Sequence, residues 1–386
     1  MKDFGIVCEC NPFHNGHARL FAEARAMGAE RIVCVMSGNA VQRGELAVAD
    51  RYLRAEILVR CGADLVLELP YPWSAGSAEY FSSAAVSILS DYVDRIVFGS
   101  ESGDLAFLTG AASVAGTESF RERLTERLSA GEGAAHAYFE ELAVHGFAPL
   151  SSNDLLGIEY IRASHRIGLN MCFDTVRREG AAYRDSALRE GENPSATALR
   201  AILADGDLSP LDAYMPSEAA RLLREAAACG TLTDSSLVDA AILLHFRLCS
   251  PRDLEGFAEL GGGLAERICA LAREVRTAEE WFARLRTKRY TDAKLRRAIL
   301  FGLTGVSSSL LASPPSYTTL LAANEKGRSL LSAHRKGKKI PLVTKPADAP
   351  ACEQRTVTDR LEALFSLART AKTTPSDAFK KNAFVE

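Results

Sequence analysis

Asn11-Pro12-Phe13-His14-Asn15-Gly16-His17 follows directly on the apolar stretch Phe4-Gly5-Ile6-Val7-Cys8-Glu9 and precedes an amphipathic run. The heptapeptide therefore joins a predicted first strand to a predicted first helix, where nucleotide-binding α/β folds hold phosphates. Two histidines three residues apart can aim imidazole donors at an anion, and the backbone N–H groups of a helix N-terminus face the same way. Pro12 stops the strand, Asn11 and Asn15 are turn or cap formers, and Gly16 leaves room for close approach of a ligand. The segment points to a chain that activates something with ATP.

Outward from this segment, strands are predicted at Phe4–Glu9, Arg31–Ser37, Asp64–Pro70 and Arg95–Glu101, with helical periods at about 15–27, 48–61 and 77–90 between them. Such alternation is repeated βαβ and implies a parallel sheet. Three strands end in polar or small residues, Ser37-Gly38-Asn39, Glu68-Leu69-Pro70 and Phe98-Gly99-Ser100-Glu101, on the edge where such sheets bind ligands. After a mainly helical stretch from about 103 to 168, Met171–Arg177 reads as a last strand that delivers Arg177 and Arg178. Ser195 then reads as the N-cap of a helix through Thr197 and Arg200, a second place for phosphate.

From Gly206 onward Leu, Ala, Arg and Glu dominate in helical periods. The predicted organisation is a Rossmann-like nucleotide-binding domain over 1–205 and a mainly helical region over 206–386. The latter includes a possible strand–helix–strand unit at 317–345.

The 386 residues carry a net charge of −3, so any polyanion must meet a local patch rather than the whole surface. Nine cysteines include no C-x-x-C pair and read as buried reduced thiols, which predicts a cytoplasmic protein without structural metal. No signal segment and no uncharged apolar run of membrane-spanning length is present in the sequence. Nothing in the sequence sets an oligomeric state.

Positive charge is concentrated in the C-terminal half. Arg284, Arg286, Lys288, Arg289, Lys294, Arg296 and Arg297 face a single acid, Asp292, with Tyr290 among them. Lys326 to Lys345 holds Arg335, Lys336, Lys338 and Lys339 and no acid. Lysines and arginines that neutralise phosphates release condensed counterions, and Tyr290 could stack on an unpaired base. An RNA footprint and a solvated charged face both fit these clusters on charge alone.

The chain lacks G-x-x-x-x-G-K-[ST], which disfavours γ-phosphoryl transfer. The remaining chemistry is attack on the α-phosphate with pyrophosphate leaving, which calls for positive groups such as His14, His17, Arg178 and the Ser195–Arg200 segment. A carboxylate or phosphate nucleophile is already an anion and needs little base catalysis.

Asn11–His17 resembles the nucleotidyltransferase signature of the HIGH superfamily, and Ser195-Ala196-Thr197-Ala198-Leu199-Arg200 resembles its second phosphate motif. More specifically, several strings together resemble the bacterial tRNA(Met) cytidine acetate ligase family. They are Met36–Asn39 with Gln42–Glu45, Gly62–Pro70, Phe98–Glu101, Asn153–Tyr160 and Lys288–Thr291. The resemblance runs from residue 4 to about 345.

It implies a fold of the HIGH nucleotidyltransferase type and an enzyme that joins acetate and ATP into acetyl-adenylate. The acetyl group then passes to the N4 amine of the wobble cytidine of elongator tRNA(Met). The implied ATP site comprises Val7, Cys8, Glu9, Cys10, Asn11, Pro12, Phe13, His14, Asn15, Gly16, His17, Ala18, Arg19 and Leu20. To these it adds Gly99, Asn153, Arg177, Arg178, Ser195, Thr197 and Arg200. The catalytic assignment is His14, His17 and Arg178, with Mg²⁺ held mainly by phosphates. The tRNA surface is assigned to Lys288, Arg289, Tyr290, Lys294, Arg296, Arg297, Arg335, Lys336, Lys338 and Lys339.

Two departures from the family pattern stand out: Pro194 where isoleucine is expected before the second motif, and Cys10 where an aromatic is common. A small-molecule adenylyltransferase acting on a phosphate-bearing acceptor is the alternative, and a non-enzymatic RNA-binding scaffold is a third reading.

Overall fold

The computed structural model describes residues 2–178, 196–287, 289–334 and 337–386. The first half runs β1 (Asp3–Cys8), α1 (Asn15–Ala26), β2 (Arg31–Ser37), β3 (Ala40–Val41), β4 (Glu45–Leu46), α2 (Arg51–Arg60), β5 (Leu65–Leu69), α3 (Ala78–Leu89) and β6 (Arg95–Ser100). Four helices, α4 (Leu105–Ala115), α5 (Glu118–Ser129), α6 (Ala134–Val144) and α7 (Ser152–Arg166), lead to β7 (Cys172–Arg177) and α8 (Ala196–Asp205).

The second half continues with α9 (Leu211–Tyr214), α10 (Ser217–Ala228), α11 (Asp239–Leu248), α12 (Leu264–Glu274), α13 (Ala278–Leu285), α14 (Asp292–Thr304) and α15 (Ser308–Ala312). It closes with β8 (Thr318–Ala323), α16 (Glu325–Ala333), β9 (Leu342–Val343), α17 (Glu353–Leu367), α18 (Pro375–Lys380) and β10 (Phe384–Val385).

The main sheet has the order β10-β8-β5-β2-β1-β6-β7, with β9 beside β8. Strands β5, β2, β1, β6 and β7 pair in parallel. β1 leads outward through β2 to β5, and the chain then returns to the other side of β1 with β6. The switch point lies between β1 and β6, the place where open α/β sheets bind ligands.

Every residue of β2 is buried, as a strand covered on both faces requires. Val33 and Val35 join one core with Phe81, Ile88 and Ile158. Ile32, Cys34 and Met36 join a second core with Phe21, Tyr52 and Leu199. The period of two along β2 thus divides the interior into two layers flanking the sheet. A third core, built on Leu243, Phe246, Ile268, Trp281 and Leu295, belongs to helices α11–α14.

The strand–helix–strand unit predicted at 317–345 corresponds to β8, α16 and β9, with β8 and β9 parallel. Its first strand pairs antiparallel with β5, so this C-terminal segment extends the N-terminal sheet. The β3–β4 hairpin has no counterpart among the predicted elements.

Candidate active site

At the carboxyl end of β1 the chain leaves the sheet through Cys10, a non-glycine residue at φ +46°. That conformation is disfavoured for a side chain bearing a Cβ and is held here by its surroundings. Asn11 Oδ1 accepts the N–H of Val48 at 2.7 Å. Arg54, 1% exposed, donates through Nε to the carbonyl of Ala49 at 2.9 Å, through Nη1 to that of Glu9 at 2.7 Å and through Nη2 to that of Gly38. One buried guanidinium therefore ties the end of β1 to the end of β2. Burial pulls its pKa down to about 10, which leaves it charged at neutral pH.

His14 is the N-cap of α1. Its Nδ1 accepts the N–H of Gly16 at 3.0 Å, and its own backbone N–H donates to Nδ1 of His17 at 3.2 Å. Both Nδ1 atoms are thereby occupied as acceptors, so in each neutral ring the proton sits on Nε2, which remains a donor. The two ring centroids are 4.0 Å apart, and His17 stacks on Phe13 at 5.4 Å. A Cβ on Gly16 would lie 2.8 Å from Cε1 of His14, so glycine here makes room for the histidine ring itself.

Burial, and then the charge of Arg178, pull the pKa of His14 down to about 3. Burial, then His14 and Arg178, push that of His17 down as well. The pair is a set of neutral donors at a helix N-terminus, within the electrostatic field of a guanidinium.

Across the switch point, the backbone N–H of Arg178 donates to the carbonyl of Ser100 at 2.9 Å. A Cβ on Gly99 would lie 3.2 Å from Cγ of Arg178, so the strand end and the arginine stem are in close contact. Arg177 is exposed. Asn153, in the first turn of α7, donates through Nδ2 to Oε1 of Glu101 at 2.6 Å, and Arg178 Nε lies 3.9 Å from the same oxygen.

From α8, Arg200 donates through Nη1 to the carbonyl of Asn11 at 3.0 Å and through Nη2 to Oγ1 of Thr197 at 3.2 Å. Sequence positions 11 and 200 are thus joined by a hydrogen bond. Ser195 lies outside the described residues.

The other predicted ATP-site residues lie in β1, the loop after it and α1. Val7 and Cys8 end β1, and Cys8, Cys10 and Cys34 are buried free thiols. Glu9 accepts the N–H of Gln42 at 2.7 Å. Pro12 and Phe13 are buried, and Asn15 donates to the carbonyl of Ala213 at 3.2 Å. Ala18 bonds back to the carbonyl of His14, Arg19 lies 4.0 Å from Glu23, and Leu20 packs on the second core. The helix cap that the sequence offered to Asn15 is made by His14.

The basic residues at 284–297 are largely partnered. Lys294 lies 2.9 Å from Glu259, Arg297 forms a two-pronged pair with the same carboxylate, and Arg296 lies 2.8 Å from Glu45 in β4. Glu45 is also 3.7 Å from Arg200. Gly44 sits at φ +73°, where a Cβ would come within 2.5 Å of the backbone nitrogen of Arg297. The β3–β4 hairpin therefore docks directly on α14.

Arg289 is exposed, with its guanidinium 5.5 Å from the centre of the Tyr290 ring. Tyr290 donates to the carbonyl of Gly262 at 3.1 Å. In the second cluster, Lys338 lies over the ring of Tyr92 at 4.5 Å and Lys339 is exposed. Lys288, Arg335 and Lys336 lie outside the described residues.

A further cluster was not foreseen. Arg51 is buried between Glu362 of α17 and Glu68 at the end of β5, and Asn39 donates to both oxygens of Glu362 at 3.0 and 3.1 Å. This network ties α17 to the carboxyl ends of β2 and β5. Among the described residues no group of three or more His, Cys, Asp and Glu side chains could hold a metal ion, and no helix is long and apolar enough to cross a membrane.

Residues 1–379 match the family model described as HIGH Nucleotidyl Transferase. The chain is similar to tRNA(Met) cytidine acetate ligases of Syntrophotalea carbinolica and Acetivibrio thermocellus. Both are 35% identical to it, over 89% and 90% of this chain and 85% and 89% of theirs. Among solved structures it resembles apo Thermotoga maritima TmcAL (TM-score 0.92, 30% identity, all of both chains covered). It also resembles that enzyme bound with alpha-thio ATP (TM-score 0.88, 29% identity, 100% and 99% covered).

Proposed function

The chain belongs to the HIGH nucleotidyl transferases and, within them, to the tRNA(Met) cytidine acetate ligases, and from that premise we propose that it acetylates the wobble cytidine of elongator tRNA(Met) in two steps at the β1/β6 switch point. The observation that carries the reading is the paired commitment of His14 Nδ1 and His17 Nδ1 to backbone N–H groups, which leaves two Nε2–H donors at the N-terminus of α1.

In the first step a carboxylate oxygen of acetate attacks the α-phosphorus of ATP. A P–O bond forms to acetate, the bond to pyrophosphate breaks, and charge builds on the phosphate oxygens. Neutral imidazole donors, the positive end of α1 and the Arg178 guanidinium answer that charge without reorganising. Arg200 and Thr197 present a second set of donors beside the Asn11 loop. Gly99 and Asn153 border the nucleotide from the other side of the switch point.

Mg²⁺, when bound, would be held mainly by the phosphate oxygens of ATP and would offset charge on the leaving pyrophosphate.

In the second step the N4 amine of cytidine attacks the acetyl carbonyl carbon. A C–N bond forms, the C–O bond to AMP breaks, and the amine gives up one proton. Residues 206–386 carry the tRNA, with Arg289, Tyr290, Lys338 and Lys339 as the contacts within the described residues. Acetate-dependent exchange of labelled pyrophosphate into ATP tests the first step. Exchange that ignores acetate but follows a small phosphate-bearing acceptor would reassign the site.

A further inference from the structure

Glu101 is an anomaly in a site for a polyanion. A carboxylate some 4 Å from a phosphate costs about 4 kcal/mol at the dielectric of a protein surface, against about 1 kcal/mol in bulk water. Its presence beside Asn153 and Arg178 therefore asks for a compensating role, and its partners show one.

Glu101 follows the last residue of β6 and receives side chains from three directions. Nδ2 of Asn153 donates to Oε1 at 2.6 Å, and Oγ of Ser151 donates to Oε2. Nε of Arg178 stands 3.9 Å from Oε1. The frame behind it is stiff. Asp154 accepts the N–H of Ser102 at 3.1 Å and that of Ser151 at 2.9 Å, which fixes the turn after β6 against the start of α7. The backbone of Arg178 is bonded to Ser100.

We propose that Glu101 is a positioning residue for the nucleotide: it orients the Asn153 amide and stands in for phosphate on Arg178 until ATP arrives. The inference rests on the reading that Asn153 and Arg178 hold the nucleotide. The two contacts differ in the way this role needs. The bond to Asn153 is short, which holds the amide aimed before the nucleotide arrives. The contact to Arg178 is too long for a hydrogen bond and joins two side chains each about two-fifths exposed, so the guanidinium can leave for a phosphate at little cost. Neutralised by Glu101, the arginine stays over Gly99 rather than turning to solvent.

The experiment compares wild type, Glu101→Gln, Arg178→Ala and the double variant. It uses calorimetric binding of a non-hydrolysable ATP analogue, acetate-dependent exchange kinetics and thermal melting. Gln is isosteric and keeps an oxygen for Asn153, so a folded protein is expected.

The role predicts about a three- to tenfold weaker analogue affinity for Glu101→Gln. KM for ATP should rise to match, kcat of exchange should stay within about twofold, and the double variant should bind no more weakly than Arg178→Ala. If Arg178→Ala weakens binding and Glu101→Gln binds as tightly as wild type or more tightly, the positioning role is wrong while the nucleotide site stands. If Arg178→Ala itself leaves affinity unchanged, the assignment of Arg178 to the nucleotide falls, and this inference with it.

Discussion

The backbone N–H of His14 donates to Nδ1 of His17 at 3.2 Å, so the second histidine of the motif orients the first turn of the helix as well as its own ring. Substituting His17 removes a Nε2–H donor and a cap at once. For His17→Ala we expect acetate-dependent exchange to fall by about 10²–10³-fold, the usual cost of losing one donor aimed at developing charge. Affinity for tRNA should remain unchanged. Normal exchange by this variant would remove His17 from the chemistry.

The same burial makes a pH signature. His14 has a pKa of about 3 in the folded protein against an ordinary value of 6.5. Between those values the unfolded chain takes up the proton and the folded one does not, so stability rises with pH across this window. The contribution is complete above about pH 6.5 and is lost as pH falls toward 3. Urea unfolding at about pH 7 and pH 5 should show a lower midpoint at pH 5, with a smaller drop in His14→Gln. An identical drop in that variant would mean that His14 is not the group responsible.

Charge in the C-terminal half divides by partner. Arg289 is exposed, whereas Arg297 is paired with Glu259, whose carboxylate burial pushes up and Arg297 and Lys294 pull below its ordinary range. Arg289→Gln should reduce the log–log salt slope of tRNA binding by about 1 and leave thermal stability and pyrophosphate exchange intact. Arg297→Gln should instead lower the melting temperature. Equal effects of the two on salt slope would show that the Glu259 pair opens to receive RNA.

The buried triad at the carboxyl ends of β2 and β5 is a matter of stability. Glu362→Ala leaves Arg51 facing Glu68 alone and strands the Asn39 amide, so a loss of about 3–5 kcal/mol is expected in denaturant unfolding. A loss below about 1 kcal/mol would show that water replaces the carboxylate freely.

These relationships also mark what a linear sequence can reveal. The alternation from β1 to β6 was legible because parallel strands and amphipathic helices each imprint a period, and predicted and observed elements there agree to within a few residues. The loop after β1 was legible because proline and glycine interrupt a strand and two histidines three apart share one face of a helix.

Arg54 was not. An arginine inside a helical pattern looks like a solvated face, and only the return of the Glu9 and Gly38 carbonyls to its side shows a buried clamp. The hairpin of β3 and β4 has two-residue strands, too short for a period. The pairing of β8 with β5 spans more than 240 residues by number and leaves no local trace. Counting charge from 284 to 297 found one acid, because Glu45, Glu259 and Glu274 arrive from elsewhere in the chain. Glu101 was visible as a polar strand end, but its meaning depends on Asn153 and Arg178 converging on it.

Transfer of acetate carbon to RNA is the direct test of the two-step reaction. The purified full chain is incubated with labelled acetate, ATP and an elongator tRNA(Met) transcript, and the RNA is digested to nucleosides. Label is expected in N4-acetylcytidine, with AMP and pyrophosphate formed in step and no label when ATP is omitted. Unlabelled RNA, together with efficient adenylation of a small phosphate acceptor by the same preparation, would contradict that reaction.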